Sequence, residues 1–464
     1  MPPRALLLAA PLLACATAPP PAQGPGPVCP VASTPAPLSA PASLSLPPGA
    51  PSPALLLLKN ARLIDGTGAA PRTGVDVLVE AGRIKQVGQG LAAPAGVVTL
   101  DLGGRTLLPG LIDAHTHLAN DPQPSHAEAV VLDVTATDAD AALRGAANAR
   151  VTLLAGFTTV RNVGGTFADR SLRDAIRRGR IPGPRILVAN HAIGITGGHC
   201  DDTNGLRPDI HGRPPDFEEG IADGPDAVRR AVRHQIKHGA DVIKICATGG
   251  VLSQGDGVGA PQLTPDELAA VVDEAVRAER KVAAHAHGTE GIKDAVKAGV
   301  HSIEHGSMLD DEAIRLMKKR GTYLVPTVAV GAYVEQAAQT GKLSPDSAAK
   351  ALAVAPRMRD SLARAYKAGV KIAFGTDAGV FEHGTNAREF SALVALGVTP
   401  MDAILSATRN AADLLGLSDV GVIKPGNVAD LLVVDGDPLA DIRALERPAL
   451  VVHDGVIVRP PSWQ

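Results

Sequence analysis

Two histidines stand one residue apart where an apolar run ends, in Leu108-Pro109-Gly110-Leu111-Ile112-Asp113-Ala114-His115-Thr116-His117-Leu118. Alternate side chains of a strand share a face, so His115 and His117 point the same way, about two rises of roughly 3.3 Å apart. Two neutral imidazoles that close suit a transition metal. Taken alone, the pair reads first as two satisfied or solvated histidines. More groups of ligand type follow along the chain. Lys244 interrupts the apolar run Asp241-Val242-Ile243-Lys244-Ile245-Cys246, a place where lysine is rarely buried without a partner. Burial lowers its pKa and makes a neutral amine accessible. Such an amine takes up CO2 to give a carbamate, an anion able to bridge two cations. Pairing with a carboxylate in the core is the plainer alternative. Ala284-His285-Ala286-His287-Gly288 and Ile303-Glu304-His305-Gly306 each end a run in imidazole, and Gly375-Thr376-Asp377-Ala378-Gly379 leaves a carboxylate flanked by glycines.

These residues need elements to hold them. Between residues 108 and 418, apolar β-branched runs alternate with amphipathic helical stretches, the pattern of βα units on a parallel sheet. Eight runs are present: Leu107 to Asp113, Phe157 to Asn162, Arg185 to Asn190, Asp241 to Cys246, Lys281 to Ala286, Val300 to Glu304, Tyr323 to Thr327 and Lys371 to Thr376. They predict an α/β protein built on a (β/α)8 TIM barrel. A barrel of this kind carries its site at the C-terminal ends of its strands, and the candidate ligands fall at or near those ends. Helix starts agree with the pattern. Thr264-Pro265-Asp266-Glu267 combines an N-cap, proline at the first helical position and the glutamate of a capping box, and Thr399-Pro400-Met401-Asp402 opens another helix. Short alternating strands at 55–107 and 419–458 are expected to pair into a small β-sandwich domain made from both ends of the chain.

Composition narrows the function classes. A chain of 464 residues, 45% hydrophobic, buries a large core. A formal net charge of −3 and 2% aromatic residues supply neither a basic field nor stacking platforms, which argues against nucleic acid as a partner. Four cysteines, Cys15, Cys29, Cys200 and Cys246, show no Cys-x-x-Cys spacing, so neither a disulfide framework nor a zinc-finger pattern is expected. Arg4 precedes a short apolar run, Ala5 to Ala14, of signal-peptide length. The segment 1–17 therefore reads as an export signal. Leu12-Leu13-Ala14-Cys15 resembles a bacterial lipobox, predicting a lipid anchor at Cys15 on an outer-membrane lipoprotein facing the periplasm. Ordinary cleavage near Ala14-Cys15-Ala16 or Ala16-Thr17-Ala18 gives a soluble periplasmic protein instead. Residues 18–54, rich in proline, alanine and serine, read as an extended tether in which Cys29 is an unpaired, inert thiol.

The set formed by the His-x-His pair, the strand lysine, the two later histidines and the aspartate resembles the amidohydrolase superfamily. The likeness is to its binuclear branch, related to imidazolonepropionase, to the Xaa-Pro and Xaa-Arg/Lys dipeptidases and to ochratoxin amidases, and it extends over roughly residues 55 to 458. It implies that His115 and His117 hold a first divalent metal, with Lys244 as a carboxylated bridge. His285 and His305 would then hold a second, and Asp377 would serve the first metal and act as proton shuttle. Zinc suits imidazole and carboxylate ligands, though these ligands admit other ions. Mononuclear members and deaminases usually carry glutamate three residues after the fifth-strand histidine and lack the bridging lysine; here that position is Gly288. The loop Ile195-Thr196-Gly197-Gly198-His199-Cys200-Asp201 resembles the Thr-Gly-Gly-His loop of the dipeptidase-like group. That likeness makes His199 a ligand for the substrate's α-carboxylate, and His287 matches a position near the same group. Relatives often carry aspartate where Asn162 stands, a departure that alters the local charge. His191, Arg161 and His383 read as ordinary mouth or loop residues.

The resemblance implies a metal-dependent peptidase or N-acyl-amino-acid amidohydrolase that releases a C-terminal amino acid from a small-molecule or dipeptide substrate, with ochratoxin-type amides among its possible substrates. Its alternatives are a lactone or cyclic-amide hydrolase of imidazolonepropionase type, or a lipoprotein that binds metal or peptide without turnover. A homo-oligomer is the expected assembly.

Overall fold

The computed structural model describes residues 55–463 except 124, 209 and 211. The signal segment, the lipobox at Cys15, the tether 18–54 and Cys29 lie outside the described residues. The N-terminal part forms five strands: β1 (Leu55–Leu63), β2 (Arg72–Glu80), β3 (Arg83–Gly88), β4 (Val98–Asp101) and β5 (Thr106–Pro109). Seven follow in the middle: β6 (Leu111–Thr116), β7 (Phe157–Asn162), β8 (Arg185–Val188), β9 (Val242–Cys246), β10 (Lys281–Ala286), β11 (Ser302–His305) and β12 (Tyr323–Val325). The chain closes with β13 (Leu431–Val434), β14 (Pro448–His453) and β15 (Val456–Arg459).

Both ends of the chain share one eight-stranded sheet, ordered β15-β14-β13-β5-β1-β2-β3, with β4 parallel to β1. The pairing of β5 with β13 is antiparallel, with Leu108 opposite Leu432. The run Leu431-Leu432-Val433-Val434 lacks polar alternation because both of its faces are covered. Leu431 and Val433 pack with Leu56, Val77 and Leu450, whereas Leu432 and Val434 join the core that contains Phe157 and Leu111.

Seven of the eight predicted runs contain parallel strands, in two sheets ordered β6-β7-β8 and β12-β11-β10-β9. The eighth, 371–376, is not a strand. It makes a single parallel bridge between Ile372 and Leu324, and its Phe374 carbonyl accepts from Ala114 N of β6 at 2.8 Å. Between β8 and β9, Asp241 N donates to Val188 O at 2.7 Å, and Ile193 bridges Ile245. The first run divides where one strand was expected. Gly110 N donates to Asp430 O in the terminal sheet, while the next amide, Leu111 N, donates to Gly156 O. Adjacent amides thus serve different sheets, and residues 107–109 belong to β5.

Helices separate the parallel strands and begin where expected. Thr264 and Glu267 form the reciprocal capping box of the helix Pro265–Arg277, and Thr399 caps the helix Pro400–Leu405. The cysteine reading needs correction: Cys200 and Cys246 form a disulfide, with Cα atoms 5.9 Å apart. A pair 46 residues apart in sequence carries no local spacing signal, and only the fold brings the loop after β8 against the end of β9. Among the described residues, no helix is long and apolar enough to cross a membrane.

Candidate metal centre

His115 lies inside β6 and His117 one residue beyond it; Lys244 is on β9, His285 on β10 and His305 at the end of β11. Asp377 follows the eighth run. The structure brings these six together, with His199 and His287 beside them. His117 Nε2 lies 3.2 Å from Asp377 Oδ1, and His115 Nε2 lies 3.4 Å from the same oxygen. Ring centroids of His115 and His305 are 5.1 Å apart, and those of His285 and His305 are 4.7 Å apart. His115, His305 and Asp377 place one ligand atom each within 4.8 Å of one another, and so do His285, His287 and His305. His305 belongs to both groups. His287, read from sequence as a substrate residue, also stands within metal-ligating distance.

Two ligand candidates adopt backbone conformations that side chains other than glycine seldom take: His305 has φ 68° and Asp377 has φ 63°. Each such residue costs of order 1–3 kcal/mol and persists where its surroundings over-determine it. Thr327, at φ 49°, shares this left-handed region and its hydroxyl meets His305 Nδ1 at 2.8 Å.

The donor set fits a metal. His115 Nδ1 faces Glu304 Oε2 at 2.8 Å, His117 Nδ1 faces Gly164 O at 2.9 Å, and His287 Nδ1 faces Ser307 Oγ at 2.7 Å. With Nδ1 engaged in each ring, Nε2 is left as the ligating nitrogen, the usual arrangement when an outer partner fixes the tautomer. His285 Nε2 is buried with no hydrogen-bond partner, an arrangement a cation would satisfy. The surroundings of His115, His285 and His305 favour the neutral ring that ligation requires. Burial, then Lys244, pulls His115 down to about 4, and burial holds His285 and His305 well below their ordinary value. Burial works against the charge of Asp377, but His115 and His117 hold its carboxyl well below the usual range. Burial brings Lys244 down to about 8, Glu304 and Asp377 opposing the shift.

Beneath the cluster sits an ion pair that the sequence reading passed over. Arg161, taken as a mouth residue, is instead buried within β7. It donates to Glu304 Oε1 at 2.8 Å, to Ser302 Oγ at 3.1 Å and to Ala114 O at 2.5 Å. Glu304 is wholly buried. The signal was present: each of two apolar strand runs carries one charge, of opposite sign, and buried charges need partners. Asp113 is a second hidden support, accepting from the amides of His115 and Thr376, from Thr376 Oγ1 and from Asn386 Nδ2. Asn162 accepts from Leu118 N at 2.6 Å and so steadies the turn after His117. His191 packs on Phe167 and His383 meets Asn120 O, both in loops, as expected.

His199 is half-buried against the cluster, its ring stacked on that of His285 at 4.0 Å, with Nδ1 2.8 Å from Ser253 Oγ. Burial holds it down to about 4 and His287 to about 3. At Gly288 a Cβ would overlap the Gly259 carbonyl, so a side chain at this position has no room.

Parallel strands separated by helices bring imidazoles, a lysine and a carboxylate together in groups that could hold a metal ion. Residues 106–458 match the amidohydrolase family model, and the chain belongs to that family. It is 36% identical over 360 residues to ochratoxinase of Aspergillus niger, covering 75% of this chain and 74% of that protein. A crystal structure of a Xaa-Pro dipeptidase with methionine bound in its active site shares 42% identity at a TM-score of 0.83, covering 87% of this chain and 99% of that one. Imidazolonepropionase of Cereibacter sphaeroides is 28% identical over 446 residues, covering 86% of this chain and 98% of that protein. The chain is thus an amidohydrolase-type hydrolase.

Proposed function

We propose that the protein is a binuclear metal-dependent amidohydrolase that releases a C-terminal amino acid from dipeptides or N-acyl amino acids, with ochratoxin-type amides in its range. The observation that carries the reading is His199 stacked on His285 at 4.0 Å. It sets the Thr-Gly-Gly-His imidazole beside the ligand cluster. In this reading His115, His117 and Asp377 hold one divalent ion and His285 and His305 the other, with Lys244 carboxylated between them. Zinc ions bound there would supply a water of lowered pKa and polarise the scissile carbonyl. Asp377 takes the proton of the attacking water and returns it to the departing amine. His199 and His287 bind the carboxylate of the leaving amino acid and fix the amide in register.

Further readings belong with this one. The two parallel sheets and the 371–376 segment form one (β/α)8 barrel over 108–418, supported by the bridges at Ile193 and Ile372. Residues 55–107 and 419–458 form the accompanying β-sandwich domain. The chain is exported, anchored through Cys15 or soluble in the periplasm, and assembles as a homo-oligomer.

The test strips metal with a chelator, restores zinc, and measures amino-acid release across dipeptides and N-acyl amino acids, with a lactone and a cyclic amide alongside. Zinc-dependent release of a C-terminal amino acid is expected. Turnover of the cyclic substrates alone would favour the reading suggested by the imidazolonepropionase likeness. No turnover of any substrate by zinc-loaded protein would sink both.

A further inference from the structure

We infer that the Cys200–Cys246 disulfide is a positioning device for substrate: it holds the loop carrying His199 over the ligand cluster, so that opening it weakens binding of the substrate's carboxylate. The inference rests on the carboxylate role given to His199 above.

The loop is tied largely to itself. Gly198 N donates to Ile195 O, the Asp201 carboxylate accepts from Gly197 N, Thr203 N and Thr203 Oγ1, and Asn204 Nδ2 donates to Gly198 O. Such bonds shape a turn without placing it. Other ties run outward. Thr196 donates from N and Oγ1 to Asp223, His199 N donates to Gln262 Oε1 at 3.0 Å, and His199 Nδ1 meets Ser253 Oγ at 2.8 Å. Ser253 and Gln262 flank another loop, gathered around Asp256, which accepts from both of them and from Lys350 Nζ. The partners that orient His199 by hydrogen bonding are therefore themselves on irregular chain.

The disulfide differs in kind. It leaves the residue next to His199 and ends on Cys246, the last residue of β9, two residues beyond Lys244. Cys246 N is itself fixed by donating to Ile193 O at 2.9 Å. One covalent bond thus references the His199 imidazole to the strand that carries the proposed bridging lysine. The fit at the far side is close, since a Cβ at Gly250 would overlap the His199 ring. The pairing also suits an oxidising compartment, the surroundings expected for an exported chain.

The reducing step balances with a trialkylphosphine. Phosphorus attacks one sulfur, the S–S bond breaks, and water supplies the oxygen of the phosphine oxide. The two protons of that water end on Cys200 and Cys246 as thiols. Full-length, metal-loaded protein is assayed oxidised, phosphine-reduced, and as the Cys200→Ser/Cys246→Ser variant, on an N-acyl amino acid and on its C-terminal carboxamide. Metal content is measured in each preparation. The oxidised protein is expected to prefer the acid. Opening the disulfide should raise KM for the acid about tenfold, the scale of one hydrogen bond to a charged group, with kcat within about twofold, metal content unchanged and KM for the carboxamide unmoved. Loss of uniform binding has this signature. Unchanged KM for the acid in both the reduced protein and the variant overturns the inference. So does a fall in kcat or metal content with KM constant, which marks a general structural role. Equal handling of acid and carboxamide by the oxidised protein overturns the carboxylate role of His199 itself, and the inference with it. If the variant does not fold, the reduced wild-type protein gives the same readings.

Discussion

Replacing Glu304 with glutamine removes the negative charge that pairs with Arg161 in the core. The two side chains are at most 2% exposed and 2.8 Å apart. Burial works against the Glu304 carboxylate, but Arg161 and the bond to His115 outweigh it and hold its pKa down to about 2. Breaking a buried pair by removing one partner costs about 3–5 kcal/mol. Arg161 keeps its bonds to Ala114 O and Ser302 Oγ, so the lower end, about 3 kcal/mol, applies. A second effect follows from hydrogen-bond polarity. The new amide nitrogen cannot face the Arg161 donor, so it turns toward His115 Nδ1 and makes that nitrogen an acceptor. The ring proton then moves to Nε2, the nitrogen aimed at Asp377. Loss of an outer partner of this sort lowers metal affinity about 10–100-fold, which is roughly 1.4–2.8 kcal/mol. Urea unfolding of chelator-treated protein measures the first quantity, and zinc competition against a chromophoric chelator measures the second. A double-mutant cycle with Arg161→Met isolates the pair. If the Glu304→Gln protein unfolds within about 0.5 kcal/mol of wild type, the size of an ordinary surface change, and binds zinc equally well, the account of this pair is wrong.

Asp377→Asn should lower kcat by about 10²–10⁴, the usual worth of a positioned acid–base group, with metal still bound through the histidines; equal turnover in the two proteins would contradict the shuttle role. In the terminal sheet, His453 Nδ1 and Asp430 Oδ1 lie 2.9 Å apart. Burial disfavours the charged ring, but Asp430 and Asp454 raise the pKa of His453 above its ordinary value. A raised folded-state pKa gives stabilisation that is full below about pH 6.5, the unfolded value, and is lost as pH climbs through the raised one. The stability difference between wild type and His453→Asn should therefore shrink as pH rises from 6 to 9 in urea unfolding, and a pH-independent difference would refute it.

The ligand cluster was legible because each member interrupts or ends an apolar run, and a strand's C-terminal end predicts where its side chain goes. His285 stands one residue before the end of β10, whereas Lys244 lies in the middle of β9. The rule does not read partners across the sheet. Arg161 and Glu304 are 143 residues apart, and neither run shows that the two charges meet beneath His115. The disulfide failed the same way, as did Asp113, whose partners Thr376 and Asn386 come from the opposite end of the chain. The division at Gly110 was hidden for a local reason. Pro109-Gly110, a turn signal, stands where the chain leaves one sheet for another, but apolar residues flank it on both sides and it reads as the interior of a single strand.

That division affects the order in which the molecule is made. The residue after β5 opens directly into the strand of His115, yet the partner of β5 on one side is β13, at Leu431–Val434. By the time Asp377 has been synthesised every candidate ligand exists, while the strand leading into the first of them still exposes an unpaired edge. About fifty further residues must emerge before that edge is covered. Ribosome-bound chains ending between the two points would hold a complete inventory of ligands on an incomplete frame. Such open edges are the sites where nascent proteins pair wrongly.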